Sequence, residues 1–311
     1  MKNFRLAFAA LLITLPPAAS AAEITISGLP DDTVWYMHAD LEEMRNSESG
    51  SRIYEWFEGE VIVEINDEVG IDINKEVDSV TAFSDNENGT VIVVDGPLSQ
   101  DSKDKLLALI SAEEKIEPRE HGGKDYYHVG DDEDSGNRDD DPFEDLEDSS
   151  YFSFSLDDRA IITGNEAQMK ELLDNDGNIS GSGSHDGALF VISADKSFVQ
   201  AGLRTDTMSD DDDGDDDWES NILRNTRQAA LLVSDSSGMI AIEAKLESTD
   251  PKMAEAIGGI VNGLIALQAF NSELGPEIKS LIQNTKVEVN DAVLSINTVI
   301  DPDLIVSVLD D

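Results

Sequence analysis

Two runs of carboxylates are the most conspicuous chemistry in the chain. The run from Asp131 to Asp148 holds 11 acidic residues and Arg138, and the run from Asp210 to Asp217 holds seven Asp. Clustered carboxylate oxygens suit hard cations such as Ca²⁺. The candidate ligands are Asp131, Asp132, Asp134, Asp139, Asp140 and Asp141 in the first run, and Asp210, Asp211, Asp212, Asp213, Asp215, Asp216 and Asp217 in the second. A selective cage needs ligands at fixed spacing around a turn glycine, and neither run supplies that pattern. The expectation is weak, diffuse binding of Ca²⁺ or another divalent cation, and no cofactor. Asp174-Asn175-Asp176-Gly177-Asn178-Ile179 has the central spacing of an EF-hand loop, but its two ends then fall on Leu172 and Gly183, where carboxylates belong.

The histidines are His38, His121, His128 and His185. His121 and His128 flank one predicted hairpin and could approach each other across it, as a metal pair or a general base. Spacing fixes no third ligand, so a turn residue and a strand-end residue are the simpler readings. Ser184-His185-Asp186 is contiguous, whereas a catalytic triad is assembled from distant segments. The sequence contains no phosphate loop, G-x-S-x-G, H-E-x-x-H or dinucleotide fingerprint. No catalytic or cofactor-binding residue is assigned.

Over 311 residues the chain carries 67 acidic and 21 basic side chains, a net charge of −46. Without the two acidic runs −29 remains, so the acidity is spread over the surface. Such a charge repels nucleic-acid phosphates and anionic lipid alike, and nucleic acid is not an expected partner. Salt shortens the Debye length, which makes dense carboxylates tolerable, so the charge points to adaptation to high salt. The chain has no Cys. Disulfides, thiolate metal sites, a cysteine nucleophile and a lipid-modified cysteine are therefore excluded.

The first 22 residues have the three parts of a secretory signal: Lys2 and Arg5, the apolar run Leu6 to Leu15, and small residues from Ala18, with cleavage expected near Ala21 or Ala22. The apolar run falls short of the roughly 20 residues of a membrane span, and none is expected downstream. Export to the periplasm, or secretion, is the expected destination.

Beyond it the pattern is of strands, tight polar turns and capped helices. TVWYMH from Thr33 and ALFVIS from Ala188 read as equivalent opening strands, followed by Asp40 and Asp195. Hairpins are predicted at Ser79–Phe83 with Thr90–Asp95, Lys115–Arg119 with Tyr126–Val129, Tyr151–Leu156 with Arg159–Thr163, two strands from Thr226, and Lys286–Val289 with Val293–Thr298. Ser99, Asn165, Asp250-Pro251 and Asp301-Pro302 open helices. The helix after Pro251 carries Gly259-x-x-x-Gly263, read as close packing on its own sheet; an amphipathic contact with a membrane or partner through an exposed helix face is the alternative.

The expected fold class is α+β: two related modules, each an antiparallel sheet with helices on one face. The first spans 23–175 with a disordered acidic insert at 130–150, a linker covers 176–187, and the second spans 188–311 with an acidic loop at 206–217. The phrases ALFVIS, VDSVT and GGKDYYHV, in this order of elements, resemble exported bacterial proteins of uncharacterised function built from tandem α/β modules. The resemblance covers most of the chain after the signal and implies no activity or site residue. The functional expectation is a non-enzymatic exported binding or interaction protein engaging a protein or envelope component. A Ca²⁺-buffering acidic protein and a hydrolase with an unrecognised site are the alternatives.

Overall fold

A computed structural model describes residues 33–63, 66, 70–85, 89–113, 115–130, 149–178, 187–196, 225–269 and 275–309. The signal, both acidic runs, His185 and the linker centre lie outside the described residues.

The strands are β1 (Thr33–Asp40), β2 (Ser79–Asp85), β3 (Gly89–Asp95), β4 (Ile116–His121), β5 (Lys124–Gly130), β6 (Ser149–Leu156), β7 (Arg159–Thr163), β8 (Ala188–Asp195), β9 (Thr226–Ser236), β10 (Met239–Ser248), β11 (Lys286–Asn290) and β12 (Val293–Ile300). The helices are α1 (Leu41–Asn46), α2 (Gly50–Phe57), α3 (Ile73–Glu76), α4 (Gln100–Glu113), α5 (Glu166–Asp174), α6 (Pro251–Ala269), α7 (Pro276–Asn284) and α8 (Pro302–Leu309). A π-helical turn, Glu58–Ile62, prolongs α2 and sinks Ile62 completely.

Local chemistry places these elements. Asp40 accepts from Glu43 N at 2.7 Å, Ser99 from Ser102 N at 3.2 Å, Asn165 from Ala167 N at 2.8 Å, Asp250 from Lys252 N at 2.7 Å and Asp301 from Asp303 N at 2.9 Å. Each bond satisfies an amide that a helix start leaves open. The β4–β5 turn is Gly122-Gly123, with φ of 60° and 81°, the two positive values that a tight hairpin with right-handed twist requires.

The twelve strands form one antiparallel sheet in the order β11-β12-β10-β9-β8-β1-β2-β3-β7-β6-β5-β4. The α+β class and the antiparallel pairing agree with the sequence. The two expected sheets are joined, because β1 and β8 pair directly. Their register is self-symmetric about Met37 opposite Ile192: Trp35 faces Ala194 as Phe190 faces Ala39. The register of β1 with β2 shifts between Thr33 and Trp35, and that of β8 with β9 shifts at the matching place, between Ala188 and Phe190.

Helices lie on both faces rather than one. Val80 and Val94 pack with Leu41, Tyr54 and Ile62, whereas Phe83 and Val91 pack with Met169, Leu172 and Leu173 of α5. Residues three apart on a strand point to opposite faces, so β2 and β3 are covered above and below. This explains why VTAF and VIVV read as nearly continuous apolar runs. Arg52 of α2 bonds Asp303 of α8 at 2.9 Å, and Ser49 N donates to Asp235 Oδ1 at 3.0 Å, tying the halves together beside the sheet.

Candidate binding surface

Among the described residues the candidate histidines His38, His121 and His128 are held by structural contacts. His121 faces Lys124 and His128 faces Glu117, at opposite ends of the β4–β5 hairpin, so the two histidines do not meet. The two-residue turn dictates this register. His121 Nε2 lies 3.0 Å from Asp174 Oδ1, and Lys124 Nζ lies 2.6 Å from Asp176 Oδ1. Those two carboxylates therefore bind the hairpin tip to the end of α5. Gly177 N donates to Leu172 O at 2.7 Å, closing the helix C-terminus, so the EF-hand-like phrase is a helix cap.

His128 is buried and stacks on Tyr151 with ring centroids 4.7 Å apart. Its Nδ1 lies 3.3 Å from Arg119 and its Nε2 lies 3.0 Å from Ser149 Oγ. His38 Nδ1 lies 2.9 Å from Thr81 Oγ1, and burial lowers its pKa against the pull of Asp40 and Asp95. Among the described residues no group of three or more His, Cys, Asp or Glu could hold a metal ion.

Beside His128 lies a charged network that sequence reasoning missed. Glu166 accepts from Tyr126 OH at 2.6 Å, Arg119 NH1 at 2.9 Å and Lys170 Nζ at 3.2 Å. The Tyr126 bond, with those from Arg119 and Lys170, holds the Glu166 carboxyl down at about 2. Burial and the bond to Glu166 raise the Tyr126 phenol in turn. Only the Glu166-x-x-x-Lys170 spacing hinted at this cluster. Its groups satisfy one another across α5, β4 and β5 and clamp these elements together.

The surface that stays unsatisfied lies at the opposite end of the sheet. Ala254, Ile257 and Gly258 of α6 are buried toward β11 and β12, and a Cβ on Gly258 would stand 2.5 Å from Val289 Cγ2. Glycine is required there because helix and strand nearly touch. The outer side of α6 is apolar and uncovered: Leu267 is 70% exposed, Leu264 50% and Ile260 43%. Gly259 and Gly263 have open space where a Cβ would be.

Charge is withheld from this corner. From Pro251 to Asn290 the chain has three Lys, four Glu and neither Asp nor Arg, so it carries only −1 of the net −46. Large exposed apolar side chains grouped in one place mark contact surfaces. No helix among the described residues is long and apolar enough to cross a membrane.

No family model and no curated protein matches the chain. Among solved structures it is similar to crystal form IV of TP0453, with a TM-score of 0.47 and 11% identity over 92% of this chain and 95% of that one. Crystal form III of TP0453 gives a TM-score of 0.46 at 11% identity, over 91% of this chain and 96% of the other.

Proposed function

We propose that this chain is an exported, non-enzymatic interaction protein of the periplasm or medium, adapted to high salt, and that it engages a protein or envelope component through the α6–β11 corner. The two halves of its sheet are, in this reading, copies of one ancestral unit. The observation that carries the proposal is the exposure of Ile260, Leu264 and Leu267 within a stretch almost free of net charge, on a chain that is acidic elsewhere. A uniformly carboxylated surface stays hydrated and keeps other molecules away. Omitting the coat over one helix creates a place where burial of apolar surface can drive association, at about 25 cal/mol per Å². High salt strengthens that driving force while it screens the surrounding repulsion.

The test is co-purification from envelope extract in molar NaCl, comparing the wild-type protein with a Leu264→Glu, Leu267→Glu variant. Both positions are exposed, so the variant keeps its fold, checked by an unchanged melting temperature. A partner, or a second copy of the chain, retained by the wild type and lost by the variant is the expected result. Identical retention by both proteins would refute the assignment of this corner.

A further inference from the structure

We infer that the α6–β11 corner binds a second copy of this chain, joining the two sheets edge to edge through β11; the inference rests on the corner being the contact surface. Three features converge on that occupant. β11 is the terminal strand of the sheet and has no neighbour on its outer side among the described residues. Its five residues, Lys-Val-Glu-Val-Asn, contain no Pro, and the strand pairs with β12 without a register shift. An edge without proline or a bulge leaves its backbone groups open to pairing, so the charges of Lys286 and Glu288 decide which register is allowed.

The second feature is self-complementarity. A two-fold axis normal to the sheet pairs two copies of an edge strand antiparallel, with one residue opposite itself. Centred on Lys286 or Glu288, the pairing sets like charges against each other, which is destabilising. Centred on Val289, it gives neither charge an opposite partner. Centred on Val287, it places Lys286 of each copy opposite Glu288 of the other, twice, with the two Val287 side chains meeting between them. The alternation of burial along β11, with Lys286, Glu288 and Asn290 exposed, keeps those charges on the face away from α6.

The third feature is α6 itself. It lies over β11 and β12, and a two-fold normal to the sheet keeps both copies of α6 on the same face. Pairing through β11 then brings the two copies of α6 toward each other on that face, where helices can pack. Ile260, Leu264 and Leu267 supply the apolar seam, and Gly259 and Gly263 leave room for a close approach. An isologous interface needs a patch compatible with itself, and a patch carrying −1 of the net −46 meets its own copy with little charge repulsion. The same symmetry relates β1 and β8 at the centre of the sheet.

The experiment is sedimentation velocity on the full chain in about 0.1 M and in molar NaCl. The expected result is a shift from monomer toward a species of twice the 33.8 kDa mass as salt rises. Lys286→Glu and Glu288→Lys, made singly, each set like charges opposite one another and weaken the dimer roughly tenfold. The double variant Lys286→Glu, Glu288→Lys exchanges the charges and restores it. A monomer throughout, or a dimer indifferent to these three variants, overturns the inference. A monomer that still captures a different partner through Leu264 leaves the corner standing as the contact surface and removes only the second copy.

Discussion

At one margin of the sheet β4 presents Glu117, Pro118, Arg119 and Glu120; at the other β11 presents Lys286, Val287, Glu288 and Val289. Both are terminal strands, yet they treat the hazard of open backbone differently. Pro118 removes an amide donor from the β4 edge, where a proline is tolerated only because the outer side has no ladder to complete. Charge reinforces it: Lys115 bonds Glu117 at 2.6 Å, and Arg119 reaches Glu166 at 2.9 Å. The β11 edge has no proline, its Lys286 and Glu288 are of opposite sign, and its covering helix carries only Lys252 and Glu255. One margin is closed to a further strand and the other is left available.

The largest effect should come from making the margins alike. Pro118→Val restores a donor to β4, so each molecule gains a second usable edge and association no longer closes at two copies. Light scattering in molar salt should then show masses beyond the dimer that grow with concentration; a mass unchanged from wild type would mean that Pro118 does not guard the edge. Next in size is Gly258→Ala, which drives a methyl group toward Val289 Cγ2. Overpacking costs about 1–3 kcal/mol, and the better helix propensity of alanine returns up to about 1 kcal/mol. Thermal denaturation should show a net loss, with α6 pushed off β11 and weaker self-association; a gain in stability would show that strand and helix have room to spare.

The smallest effect concerns the clamp at the β4 margin. The folded pKa of Glu166 is depressed to about 2, below its unfolded range near 4.3. Its contribution is therefore complete above the unfolded value and is lost as pH falls toward about 2. Glu166→Gln should melt a few degrees below wild type at neutral pH, and the gap should close through that acid window. A gap that stayed constant down to the lowest pH would assign the loss to packing instead of charge.

Much of this architecture was legible in the sequence because its signals are local. Ser99, Asn165, Asp250 and Asp301 begin helices as expected, and the apolar runs flanking polar turns located the strands. What escaped depends on contacts between distant segments. Nothing in Thr33–Asp40 announces that its neighbour is Ala188–Asp195, so two sheets were expected where one exists. The apolar runs of β2 and β3 carried the information that both faces are covered, but such runs also fit a core strand with helices on one side. The helix Pro276–Asn284 begins after Gly275 without a side-chain cap, so it lacks the start signal that marks the helices at Ser99, Asn165, Asp250 and Asp301. The chemically conspicuous residues misled for a related reason. His121, Asp174 and Asp176 look like ligands in isolation and become fastenings once β4, β5 and α5 are brought together.

The pairing of Met37 with Ile192 also bears on how the chain reaches this state. Every other neighbouring pair of strands belongs to one half of the sequence, so each half can assemble its own ladder early, at modest loop-closure cost. The seam between β1 and β8 joins the most widely separated segments of any strand pair and so carries the largest loop-closure cost. With that seam open the molecule would present two further unpaired borders, so its closure removes two edges from competition with neighbouring chains.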